Sequence, residues 1–310
     1  AAVVNLMSRE RRALVIAGGK FGELWAAVTK TYGVPHTVLE AEWGDSVDPQ
    51  AVAAALEREP FDTLFATHSE TSTGALHDVH ALALLTRPRG VRLVVDAVTS
   101  LGVHPLRQDD WGVDVVVCGS QKGLMIPPGI ATVSLAPWAA AAIEEPGLPR
   151  FYFDLRKARK SLPQGETSFT PPVSLVLALE EALKMIEEEG LDRVHQRHRA
   201  LSRACRAGAA ALGFAAFAKH PSHAVTALRP PAGIETGAVV KRLREVHGMV
   251  VAGGQDRLKG VILRVGHMGA YDLADIQALI GALEECAAAL GAPAAAGEAS
   301  RAAREAWASA

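Results

Sequence analysis

From residue 13 onward the chain alternates short, apolar, β-rich runs with segments of helical period. This alternation restricts it to a mostly parallel sheet wound through strand-helix-strand units. The runs are "ALVIAG" (13–18), "HTVLEA" (36–41), "TLFATH" (63–68), "RLVVDA" (92–97) and "DVVVCG" (114–119), with helices predicted over 21–32, 48–59 and 74–85. Parallel strands are covered on both faces, so they read as continuous apolar runs. "ATVSLA" (131–136) follows its predecessor after a short loop and is predicted antiparallel. The polar loop after each strand lies on the carboxyl edge, where open α/β sheets place their ligands.

Residues 137–170 read as irregular and end in "LPQGETSFTPP", a loop whose length and polarity suit a site or an interface. Helices over 172–189 and 192–208 follow. Strands near 223–228, 250–252 and 261–265, with helices over 236–248 and 272–290, make a separate α+β unit. The boundary is placed near Gly190, giving a large α/β domain (1–189), a small domain (190–292) and an Ala-rich tail (293–310) expected to fray. With 310 residues, 49% of them apolar, the chain can bury a large core.

The 32 basic and 34 acidic residues leave a net charge of -2, which offers no footprint for nucleic acid or an anionic membrane. No apolar run reaches the roughly 20 residues of a membrane helix, and "AAVVNLMSRERR" lacks the features of a signal peptide. Cys118, Cys205 and Cys286 lie far apart without a CxxC pair, which suits a reducing compartment, the cytoplasm. His77 and His80, like His195 and His198, are spaced by three with no cysteine or carboxylate cluster, so they read as solvated helix histidines and no metal is expected. "VIAGGKFGEL" is neither GxGxxG nor a GK[ST] loop, and nucleotide binding is set aside.

The stretch "DVVVCGSQKGLMIPPG" (114–129) puts Lys122 at the end of a buried strand, after a Gly119-Ser120 turn and before a rigid Pro127-Pro128-Gly129 corner. Asp96 ends the neighbouring apolar run in "VVDAVTSLG". Alone, Asp96 reads equally as a cap of the next turn, and Lys122 as a solvated loop lysine. Together they offer one carboxylate and one amine on the same edge of one sheet. Pyridoxal phosphate wants both: its aldehyde condenses with an amine, and its pyridinium nitrogen needs an acidic partner.

"THSETSTGAL", "VVDAVTSLGVHPL" and "VCGSQKGLMIPPGIATVSL", in this order and spacing, resemble the class V aminotransferases of pyridoxal-phosphate fold type I, especially the alanine-glyoxylate and serine-glyoxylate (serine-pyruvate) group. The resemblance runs from residue 1 to about residue 290. It implies a mostly parallel, seven-stranded-type sheet with a smaller C-terminal α+β domain, and an amino transfer from alanine or serine to a 2-oxo acid such as glyoxylate or pyruvate. Lys122 would be the Schiff-base lysine, neutral when it moves the proton of the substrate α-carbon. Asp96 would pair with the pyridinium nitrogen, Val98 would face the ring, and Gln121 and Thr71 would bond its hydroxyl or nearby polar atoms. Phe21 would stack on the ring where several relatives have tryptophan. Arg264, in "VILRVGHMG", would bind the substrate α-carboxylate with a guanidinium fork. Thr170, and more loosely Thr167, match a loop that reaches across an interface to the partner's cofactor phosphate, which implies a homodimer. Glu70 reads equally as a cap or a catalytic group.

Residues 1–6 resemble the middle of the helix that follows the family's Gly-rich phosphate turn, so an N-terminally truncated fold type I chain is expected, without the main phosphate cup. Two other readings follow: a non-catalytic fold-type dimer that keeps the fold, or a class V relative using another amino donor such as aspartate or an aminophosphonate. None of the cysteines is placed for the sulfur relay of a desulfurase. His267, three residues past Arg264, is expected outside the pocket.

Overall fold

The computed structural model describes residues 1–145, 147–292 and 297–309. Along the first half run α1 (Ala2–Leu6), β1 (Ala13–Ala17), α2 (Lys20–Thr31), β2 (His36–Glu40), α3 (Pro49–Arg58) and β3 (Thr63–Thr67). They are followed by a hairpin of β4 (Ser69–Glu70) and β5 (Ala75–Leu76), then α4 (Val79–Thr86), β6 (Arg92–Asp96), α5 (Gln108–Trp111), β7 (Val115–Gly119) and β8 (Ala131–Leu135). One sheet takes the order β2-β1-β3-β6-β7-β8, parallel except for antiparallel β8. The described residues thus supply six of its strands, against the seven of the expected type. Alternate residues of each inner strand serve opposite faces. Leu14, Ile16, Leu64, Leu93 and Val95 pack under α3 and α4, while Val15, Phe65, Val94 and Val115 pack with α1, α2 and α6 (Pro137–Ala142). Burial on both faces is why these strands have no polar alternation.

The second half holds α7 (Leu155–Ser161), α8 (Val173–Glu189), α9 (Leu191–Ala211), β9 (Ala215–Ala216), β10 (Val225–Arg229), α10 (Thr236–His247), β11 (Ala252–Gly253), β12 (Leu263–Gly266), α11 (Leu273–Ala289) and α12 (Glu298–Ala308). An antiparallel sheet β11-β12-β10-β9 closes its own core with α9, α10, α11 and α12, around Leu201, Leu228, Leu243 and Leu283. Segment 219–224 stitches this unit to the large sheet's loops. Leu76 N donates to the His220 carbonyl (2.8 Å), Ser222 N to the Gly74 carbonyl (2.8 Å), and the Ser69 and Ser222 hydroxyls meet at 2.7 Å.

Four sequence expectations change. Residues 74–85 are not one helix: Thr73 and Gly74 turn the β4-β5 hairpin, and α4 begins only after Asp78 caps Ala81 N. The stretch 137–170 contains α6, α7 and a short 3-10 turn, each too short to show a period. Of the tail, 293–296 and 310 lie outside the described residues, but α12 does not fray. Its Ala299 and Ala303 are fully buried, because alanine lets two helices approach closely and α12 lies along α9. His77 and His198 are not solvated; each is 1% exposed and satisfied by backbone. Val47 N donates to His77 Nδ1 (2.9 Å), and Gly269 N donates to His198 Nε2 (2.9 Å).

α8 is unusual in the opposite sense. Of its 17 residues only Ala182 is buried, while Val173, Val176, Leu177, Leu183 and Met185 stand exposed, as do Phe151, Tyr152 and Phe153, the second of which stacks on Phe169 just ahead of the helix. Among the described residues no helix is long and apolar enough to cross a membrane.

Candidate active site

The carboxyl edge of the sheet carries four of the predicted residues: Phe21 in the first turn of α2 after β1, Thr71 after β3, Asp96 at the end of β6 and Lys122 in the loop after β7. The register is direct: Thr67 of β3 faces Asp96 of β6, which faces Val117 of β7. Lys122 lies five residues beyond Val117, in a loop held from inside by Ser120. The Ser120 hydroxyl donates to the Pro127 carbonyl (2.8 Å) and accepts from Ile130 N (3.2 Å). Gly123 lets this loop touch the one after Asp96, because a Cβ there would sit 2.1 Å from the Leu101 carbonyl oxygen. The lysine loop and the aspartate loop are therefore locked to each other by backbone.

Asp96 receives one hydrogen bond, from Val98 N to Oδ1 (2.8 Å). Burial pushes its carboxyl up to about 6, with the charge of Glu70 adding and the Val98 bond opposing. A carboxylate in this state lacks a cation. Lys122 is half-buried, and its amine is shifted down from the usual lysine range, first by burial and then by the positive charge of Arg264. The lysine's departure has the direction that cofactor chemistry requires, an amine that gives up its proton more easily, while a positive ring nitrogen beside Asp96 would draw its raised carboxyl back to the anion.

Arg264, on β12, is 8% exposed and spans the two units. Its Nε donates to the Gly253 carbonyl (3.0 Å) and its Nη1 to the Thr71 carbonyl (3.0 Å). Burial lowers its pKa while Glu70 opposes this. Two of the five guanidinium N–H groups are engaged, so the other three can meet a carboxylate. The Thr71 hydroxyl meets that of Thr99 at 2.6 Å, tying the β3 loop to the β6 loop. Val98 and Gln121 both lie against Gly119, where a Cβ would be 3.6 Å from Val98 Cγ1 and 2.9 Å from Gln121 Oε1.

Thr167 and Thr170 are not part of this cluster. Both are exposed on the loop before α8, and the Thr167 hydroxyl donates to the Phe169 carbonyl. His267 is fully buried and bonded through Nε2 to the Thr226 hydroxyl (2.8 Å), away from the edge. Sequence reading missed Thr99 and Gly253. Thr99 stands three residues past Asp96 in a motif already singled out, whereas nothing local marks Gly253, whose carbonyl matters only once β11 pairs with β12.

An amine and a carboxylate converging on the carboxyl edge of a mostly parallel sheet, with a second unit supplying an arginine, define a transferase of the type that works through pyridoxal phosphate. The chain belongs to the class V aminotransferase family, whose model matches residues 3–276. It is 42% identical over 297 residues to a protein of Synechococcus sp. (strain PCC 6716) named soluble hydrogenase, small subunit, covering 94% of this chain and 77% of that one. It is 34% identical over 288 residues to the L-aspartate–glyoxylate aminotransferase of Paracoccus denitrificans, covering 90% of this chain and 72% of the relative. The crystal structure of pyridoxamine-pyruvate aminotransferase from Mesorhizobium loti superimposes with a TM-score of 0.95 at 29% identity, covering 99% of this chain and 81% of that one. The protein is a transaminase, and pyridoxal phosphate is the cofactor its family implies.

Proposed function

We propose that this transaminase moves the amino group of a small amino acid, alanine or serine, to glyoxylate or pyruvate, with pyridoxal phosphate anchored on Lys122. The observation that carries the reading is the placement of Asp96 and Lys122 on locked neighbouring loops at one edge of the sheet, with the lysine's amine shifted toward its free form. When bound, the cofactor supplies an electron sink for the bond broken at the substrate α-carbon. Asp96 would hold the ring nitrogen in its protonated form, Val98 and Phe21 would flank the ring, and Gln121 and Thr71 would bond its polar edge. Arg264 would take the substrate α-carboxylate and so fix which face of the α-carbon meets Lys122. Lys122 Nζ would then accept the α-proton as a free amine.

The remaining parts of the proposal rest on surface features. Exposed apolar residues on α8 and at 151–153 suit burial against a second copy, and Thr167 and Thr170 on the adjoining loop would reach that copy's cofactor phosphate. The large domain would comprise residues 1–189 and the small domain residues 190–292, with α12 added to the latter's core. Three free, buried cysteines suit the cytoplasm. The Paracoccus relative's name favours glyoxylate as acceptor and keeps aspartate as a second candidate donor. A panel of alanine, serine, aspartate and aminophosphonate donors, each offered with glyoxylate or pyruvate at saturating cofactor, tests the reading. Turnover with alanine or serine supports it; a folded protein that transfers from none of them refutes it.

A further inference from the structure

Glu70 is fully buried, and among the described residues its side chain bonds only to backbone N–H groups and one hydroxyl. Its Oε2 accepts from Phe21 N (3.1 Å) and Gly22 N (3.0 Å), and its Oε1 accepts from Ser72 N (3.1 Å) and the Ser72 hydroxyl (2.6 Å). The same hydroxyl accepts from Lys20 N (3.0 Å). The first three N–H groups of α2, which no helix can satisfy by itself, are thus taken by two side chains from a loop 49 residues or so further along the chain. Gly19, at the N-cap, contributes no side chain; a Cβ there would lie 2.4 Å from Glu70 Cγ, so glycine is what admits the carboxylate.

We infer that Glu70 is a positioning residue of the active site, one that seats the start of α2 and with it Phe21, while its own turn presents the Thr71 carbonyl to Arg264. The stacking side chain and the substrate's arginine are then aligned from one buried carboxylate. All four of its bonds come from donors, so an acceptor-only group is required. An amide in its place would set an NH2 against donors at one of the two oxygens.

The inference rests on the transaminase reading for what Phe21 and Arg264 do, but the position of α2 can be tested without it. In protein without added cofactor, Glu70→Gln is expected to speed hydrogen exchange at Phe21 and Gly22 by about tenfold or more, with β3 and β6 unchanged. With pyridoxal phosphate bound, it is expected to cut the visible circular dichroism band by about half or more and kcat/KM by roughly a hundredfold. Ser72→Ala should free Lys20 N and leave the band near that of wild type. Should Glu70→Gln fail to fold, Glu70→Asp, one methylene short of both amides, is read in the same way. Wild-type exchange at Phe21 and Gly22 would overturn the inference, and so would faster exchange with an unchanged band and unchanged kcat/KM, which would reduce Glu70 to a helix cap. A wild-type protein that shows no cofactor band at all would instead refute the transaminase reading, leaving the exchange data to decide on Glu70.

Discussion

Arg264 Nη1 donates to the carbonyl oxygen of Thr71 at 3.0 Å, joining a strand of the small sheet to the loop that follows β3 of the large one. The guanidinium is therefore held in place by the protein's own backbone, and the proposed grip on a substrate carboxylate depends on a planar fork with five donors. Arg264→Lys keeps the charge but not the fork. Its KM for the amino donor is expected to rise by roughly tenfold to a hundredfold, with Arg264→Ala no more than a few-fold worse; steady-state kinetics at saturating acceptor measure both.

Asp96 should matter more to turnover than to binding. Asp96→Asn removes the negative charge while leaving an oxygen for Val98 N, so the fold should persist. The expected loss is in kcat, roughly a hundredfold to a thousandfold or about 3–4 kcal/mol, with a KM near that of wild type. A thermal melt within a few degrees of wild type would show that the loss is chemical.

The apolar face of α8 is expected to bury itself between two copies. Leu177→Glu, at a position 58% exposed in the single chain, should leave the monomer folded but shift it out of the dimer, as read by light scattering. Activity should fall with it, because Thr167 and Thr170 would no longer reach a second copy.

Stability should depend on pH through buried histidines. His68, His77, His198 and His223 are each lowered to about 4, mainly by burial. Between about pH 4 and 6.5 the unfolded chain therefore binds more protons than the folded one, and stability is lost as pH falls through that window. Each histidine contributes a slope of up to about 1.4 kcal/mol per pH unit. Asp96, Glu70 and Asp114 act in the opposite sense, since burial raises their carboxyls and keeps protons on the folded state, Asp96 up to about 6, but they are three groups against four. Denaturant midpoints at pH 7 and pH 5 should show the loss; equal midpoints would contradict the neutral burial of these side chains.

What could be read from sequence follows a physical division. The strands of the large sheet were legible because burial on both faces writes a continuous apolar run, and Asp96 and Lys122 because a charge at the end of such a run is costly without a purpose. The small helices α6 and α7 were not, being too short for a period, nor was α12, whose alanines gain meaning only against α9. His77 and His198 looked solvated because their partners are backbone N–H groups 30 and 71 residues away. Glu70 was left between two roles for a similar reason: its donors lie on a helix that sequence places far off, and only the β1-β3 pairing brings them together.

The most direct measurement is to incubate the protein with pyridoxal phosphate, reduce the complex with borohydride and map the labelled peptide by mass. The expected result is one phosphopyridoxyl group on Lys122, with the visible absorbance of the unreduced complex lost in Lys122→Ala. A label spread over surface lysines, or an absorbance that survives in Lys122→Ala, would contradict the assignment of this amine as the cofactor's anchor.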